Sequence, residues 1–268
     1  MKTEDWLDQG NLEAAIAQAR QDIRQDSQNL GGRFLLFELL LLAEDFDQAE
    51  AELRAAASLD SNFSEGAELY LGLLRAERSR YNFLVKGEGA PHGLLPPPVY
   101  GAKFIQALHC LVNAQLETAE TLLTEGWQAV PKLSGNLNGK AFTEIRDADD
   151  ILGPFLEALV PDRYFWLPFE QIQSLEFLPK EGYQDTIWMP AYIEMASGVK
   201  GDLWIPSLYS GTGKKSNFSK LGRLTEWEYP SPNIGRAYGQ RDLKTGEVLI
   251  GIRQVSKIFF DLPQEAVD

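Results

Sequence analysis

Few residues in this chain are spaced as chemistry would require. Ser210-Gly211-Thr212-Gly213-Lys214-Lys215-Ser216 resembles a phosphate loop, in which glycine amides cradle an anion and a lysine neutralises it. The spacing fails twice. Leu208 stands where the leading glycine is required, and Lys215 stands where the magnesium-binding hydroxyl belongs. A flexible basic turn is the better reading. Asp147-Ala148-Asp149-Asp150 clusters carboxylates that could hold a hard cation or share a proton. No glycine or acidic residue follows at calcium-loop spacing, so these read as turn and helix-cap aspartates. Asp147, Asp149 and Glu226 form the one enzymatic alternative, a carboxylate acid–base site that exists only if the fold converges them.

His92 and His109 are the only histidines, and Cys110 is the only cysteine. A zinc site needs three or four such ligands, and a nucleophilic triad needs a histidine with partners. His109 reads as a core or interface residue and His92 as a solvated one. The expectation is no catalytic residue, no metal and no cofactor. The aromatic run Tyr164-Phe165-Trp166-Leu167-Pro168-Phe169 could be an exposed anchor, but such runs more often form a seam between two domains.

The elements that would position these residues come in two styles. Leu12-Glu13-Ala14-Ala15, Phe46-Asp47-Gln48-Ala49 and Leu116-Glu117-Thr118-Ala119 repeat a large apolar residue followed three places later by alanine. Ala15 and Ala49 are 34 residues apart, the tetratricopeptide period, and Ala119 lies about two periods further on. Asn11 caps a helix over 11–27, the Gly31-Gly32 pair breaks the chain, and Asp45 caps a further helix. The stretch 64–84 continues as a long helix. Gly87 to Pro91 and Pro96-Pro97-Pro98 cannot be helical, and they stand where the second helix of a repeat belongs. A last hairpin carries Phe104 and Leu108, then Leu116 to Trp127, before Pro131 stops it.

From about residue 160 the pattern shortens to aromatic and β-branched runs such as Ser174 to Phe177, Thr186 to Met189, Leu203 to Ile205 and Leu249 to Ile252. The expected fold is α+β: tetratricopeptide-like helical hairpins over 1–130, a connecting segment over 131–163, and a small β-rich mixed domain over 164–268. Pro154 suits the first position of a short helix, 154–160.

Apolar residues make up 44% and charged residues 24%, with no apolar run long enough to span a bilayer and no signal peptide visible. One cysteine suits a reducing compartment, so a cytoplasmic protein is expected. The net charge is −14, most of it on residues 1–130. That field disfavours nucleic acid and favours a partner presenting basic residues.

The middle and end of the chain resemble the ImpE family, also called TagJ or SciE-type proteins. The resemblance rests on Gly139-Lys140-Ala141-Phe142, Asp147 to Pro154, Arg163 to Phe169, Trp188-Met189-Pro190-Ala191, Leu221 to Trp227 and Gly239-Gln240-Arg241. It implies a non-enzymatic accessory of bacterial type VI secretion. Such a protein binds the amino-terminal helix of the small sheath subunit TssB and influences sheath handling by the ClpV unfoldase. The expected contact is a groove lined by the first helices of the hairpins, with Phe34, Phe37, Leu41, Leu69, Leu73, Phe104 and Leu108 as anchors. A second expectation places the contact on the β-rich domain, at an exposed strand edge or in a pocket near Trp166 and Trp227.

Overall fold

The computed structural model describes residues 2–179 and 184–262. Seven helices come first: α1 (Thr3–Asp8), α2 (Leu12–Gln25), α3 (Leu30–Leu42), α4 (Phe46–Ala57), α5 (Ser61–Tyr81), α6 (Gly101–Val112) and α7 (Leu116–Trp127). Asn11, Asn29 and Asp45 each accept an amide hydrogen bond at the start of the following helix. The chain breaks before Asn29, so Gly31 and Gly32 lie inside the first turn of α3 rather than between helices. Ala15, Ala49 and Ala119 sit at the tightest helix contacts with no exposed surface. They mark the second helix of the hairpins α1–α2, α3–α4 and α6–α7. α5 has no helical mate. It ends in a widened turn at Asn82–Lys86, and the proline-rich segment takes the mate's place.

Among the described residues, thirteen strands and a short helix, α8 (Asn217–Lys220), complete the α+β fold. β1 (Gly135–Leu137), β2 (Lys140–Phe142), β4 (Phe155–Val160), β5 (Arg163–Pro168), β6 (Ile172–Phe177), β7 (Trp188–Met195), β8 (Lys200–Pro206) and β13 (Lys257–Phe260) form one antiparallel sheet in the order β2-β1-β13-β6-β7-β8-β4-β5. β3 (Arg146–Asp147), β11 (Asp242–Thr245) and β12 (Val248–Gly251) form a second sheet, and β9 (Thr225–Ser231) with β10 (Ile234–Gly239) a ribbon. The segment expected to connect two domains therefore supplies four strands, and the helix expected at 154–160 is β4. Phe155-Leu156-Glu157-Ala158-Leu159-Val160 is rich in helix formers, but five consecutive buried residues, covering both faces, suit a central strand. Asp162, at φ 68°, turns it back into β5.

The sheet is covered on both faces. Leu156, Leu167, Met189, Ile193 and Ile258 point into a core within the β-rich part. Tyr164, Trp166 and Trp188 join Phe37, Leu73 and Phe104 in a core shared with the helices. The aromatic run of β5 is thus the expected seam, with alternate residues serving the two cores. The free edge of β5 is closed by the proline-rich segment: the His92 amide donates to the Tyr164 carbonyl, and the Trp166 amide to that of His92. His92 itself is exposed, as expected.

Candidate functional site

The first helices of the hairpins do line a concave face, but the protein's own sheet fills it. Trp188 packs on Phe37 with ring centroids 6.3 Å apart, Phe155 on Phe104 at 5.6 Å, and Trp166 on Phe83 at 5.3 Å. Phe37, Leu73, Phe104 and Leu108 have no exposed surface, and Leu41 is also buried. Of the seven residues expected as anchors, only Phe34 and Leu69 are half-buried. Phe34 sits in an aromatic cluster with Phe63 and Tyr70, at 5.5 and 5.3 Å. Trp166 is buried, so no pocket opens between it and Trp227.

The junction between helices and sheet carries a buried ionic network that the sequence reading missed. Glu157, at the centre of β4, accepts from Arg80 Nε at 2.9 Å and Nη2 at 3.1 Å, and from the Tyr164 hydroxyl. Arg241 Nη2 also pairs with Glu157, and Arg241 Nη1 faces Asp147 at 3.6 Å. Arg80 further binds Glu77 at 2.6 Å and the Leu208 carbonyl at 2.7 Å, while the Trp188 indole donates to Glu77 at 3.0 Å. One sequence signal was available: Glu157 interrupts an apolar run, and Glu77 and Arg80 lie one turn apart on a helix whose neighbours are core residues. Burial pulls the Arg241 guanidinium down to about 10, so it stays charged at neutral pH. Burial pushes the Tyr164 and Tyr209 hydroxyls well above their ordinary range, leaving them neutral donors.

The acidic cluster is structural in form. Asp149 accepts from the Ile151, Leu152 and Ala237 amides and from Arg236 Nε. Asp150 accepts from the Gly235 amide and Arg146, and Asp147 from the Asp149 amide and the Tyr209 hydroxyl. Glu226 is bound to the hydroxyls of Ser216 and Ser219. The three aspartates are engaged both by donors of their own turn and by Tyr209, Gly235, Arg236 and Ala237, so they fasten this turn to the 209 and 235–237 segments. Among the described residues no group of three or more His, Cys, Asp or Glu side chains could hold a metal ion. The glycine loop cradles an anion after all, but an internal one. The Gly211 and Gly213 amides donate to the two oxygens of Glu44, from the α3–α4 turn, at 2.7 and 3.0 Å.

Buried carboxyls make the junction sensitive to pH. Burial raises Glu38 to about 7, outweighing the hydrogen bond from the Gln184 amide at 2.8 Å, and Asp185 adds to the rise. Burial likewise raises Asp147 to about 7, against the pull of Arg241. Both folded values exceed the ordinary unfolded ones, so folding takes up protons in between. Their contribution is fully present below the unfolded value and is lost as pH rises towards 7. The thermal midpoint is expected to fall by several degrees between pH 5 and pH 8. Circular dichroism melts of Glu38→Gln should show a flatter profile; an unchanged slope would remove Glu38 from the account.

Comparison with known proteins adds to this geometry. Residues 139–259 match the family model described as ImpE protein. Over 228 residues, 85% of this chain and 81% of the relative, the sequence is 29% identical to the type VI secretion system accessory component TagJ of Pseudomonas aeruginosa. The crystal structure of VPA1032 from Vibrio parahaemolyticus shares the fold, with a TM-score of 0.89 at 21% identity over 96% of this chain and 97% of that one. No helix of the described residues is long and apolar enough to cross a membrane. The matched segment runs through nearly all of the sheet, and the similarity to the Pseudomonas relative extends beyond it into the helices.

Proposed function

We propose that this protein is a non-enzymatic accessory of type VI secretion, acting in the cytoplasm by binding the amino-terminal helix of the small sheath subunit TssB and so modulating sheath handling by ClpV. The observation that carries this reading is the 29% identity to TagJ across most of both chains. The tying of Asp149, Asp150 and Glu157 to backbone amides and arginines supports an adaptor over a catalyst. The partner helix docks at the edge of α3 and α5, where Phe34 and Leu69 keep surface beside Phe63 and Tyr70. Aromatic clusters of this kind supply the anchors of helix-in-groove contacts.

The test is capture of purified TssB by the full chain. Phe34→Glu combined with Leu69→Glu should weaken capture at least tenfold in protein that circular dichroism shows to remain folded at the assay temperature. Undiminished capture by this double variant would move the contact elsewhere. One observation favours a second location: β12 pairs only with β11, and its Val248 and Leu249 are 59% and 51% exposed. An open strand edge of that kind accepts a partner strand. Loss of capture on Leu249→Lys alone would select it.

A further inference from the structure

Glu44 carries two costs at one position. Its backbone has φ 55°, a left-handed conformation that favours glycine over a residue with a side chain. Its carboxylate is withdrawn from water onto the amides of Gly211 and Gly213. The receiving loop is shaped for it. A Cβ on Gly213 would lie 2.6 Å from the Ala43 carbonyl oxygen and 2.8 Å from Glu44 Cβ, so only glycine permits the approach. The loop is tied to the sheet independently of Glu44: the Thr212 hydroxyl donates to the Tyr209 carbonyl at 2.6 Å and accepts from the Gly239 amide at 2.8 Å. Beneath the contact lies a cavity of about 30 Å³, lined by Glu44, Glu77, Arg80, Trp188 and Tyr209 among others. It has room for water and polar groups to hold it.

We propose that Glu44 is a latch: seated on the two glycine amides, its carboxylate closes the α3–α4 hairpin onto the sheet, and it is the first link of that junction to open. A left-handed residue closes each hairpin turn, Gly10, Glu44 and Ala114, but of the three Glu44 alone carries a side chain that reaches the glycine amides. Opening gives up two hydrogen bonds, restores hydration to the carboxylate and lets the turn relax. The loop stays on the sheet through Thr212, and the cavity meets solvent. The rest of the junction, centred on Glu157, is held by its own ion pairs.

The latch responds to pH in a definite direction. Burial raises the Glu44 carboxyl to about 6, more than its two amide hydrogen bonds offset. The charged groups that act on it come from α5: Glu77 raises it further and Arg80 opposes. Once open, the carboxyl returns towards its ordinary value. The closed state therefore holds a proton more tightly, and closure strengthens as pH falls through 6. The latch opens most readily at pH 7 to 8.

Native-state hydrogen exchange on the full chain tests this, with rates corrected for intrinsic chemistry. The Gly211 and Gly213 amides should lose about tenfold in protection between pH 5 and pH 8, beyond any change shown by α5 amides such as Leu73. Glu44→Gln should abolish that extra pH dependence. Glu44→Gly removes the latch and suits the backbone. It should leave the two glycine amides exchanging at loop rates, with the thermal midpoint within a few degrees of the parent. Two outcomes overturn the proposal: the same pH dependence persisting in Glu44→Gln, or glycine amides that exchange only with global unfolding in parent and Glu44→Gly alike.

Discussion

Glu157→Gln is expected to lower the thermal midpoint by about 10 °C or to prevent folding outright. Glu157 has no exposed surface and neutralises two guanidinium groups at once, Arg80 from α5 and Arg241 beyond β10. The amide keeps the shape and removes the charge. Arg80 retains Glu77, and Arg241 is left with Asp147 at 3.6 Å, a carboxyl that burial already drives towards its neutral form. Breaking a buried pair by removing one partner typically costs about 3–5 kcal/mol, because a charge is left desolvated without compensation. A domain holds about 5–15 kcal/mol in total. For a chain of this size, about 2–4 °C of midpoint accompanies each kcal/mol. Calorimetry on the purified variant decides the matter; a midpoint within two degrees of the parent would show that the network contributes little. Replacing Arg80, Glu157 and Arg241 together by methionine and leucine should be far milder, since no charge is then stranded.

Residues 1–130 expressed alone are expected to lack a cooperative fold. The helical hairpins resemble an independent array, yet their inner face is finished by Phe155, Leu159, Tyr164, Trp166 and Trp188 of the sheet. Cutting there exposes Phe37, Leu73, Phe104 and Leu108, all without surface in the whole protein. Exposing such side chains costs about 1.5–3 kcal/mol each, so these four alone approach the stability of a domain. Arg80 loses Glu157 in the same cut. The fragment should bind a hydrophobic dye and melt without a sharp transition, keeping helical circular dichroism at most. A steep two-state melt of the fragment would show that the hairpins stand without the sheet.

The parts of this structure that local rules govern were legible. Asn11 and Asp45 announced their helices because a short polar side chain before an apolar stripe has one common use. Alanine at a fixed period announced the hairpins because only a small residue fits where two helices touch. Prolines announced the missing helix. What failed was whatever depends on distant partners. Phe155 to Val160 has helical propensity and becomes a strand because β5 and β8 flank it. Phe37 and Phe104 were expected to line a groove and instead pack on Trp188 and Phe155, because nothing local says that the occupant of that face belongs to the same chain. The glycine loop read as a flexible basic turn, yet its amides hold an anion, the Glu44 carboxylate from a distant turn. α1 escaped notice because six residues leave too short a stripe to detect.

The order of strands has a kinetic consequence. β13 inserts between β1 and β6, so Gly135 meets Phe260 before the sheet is whole. Contacts between such remote positions form late, whereas the helical hairpins need only neighbours. During synthesis the aromatic inner wall of the hairpins is therefore made well before its cover arrives. For that interval the half-made molecule shows apolar surface of the kind that promotes aggregation.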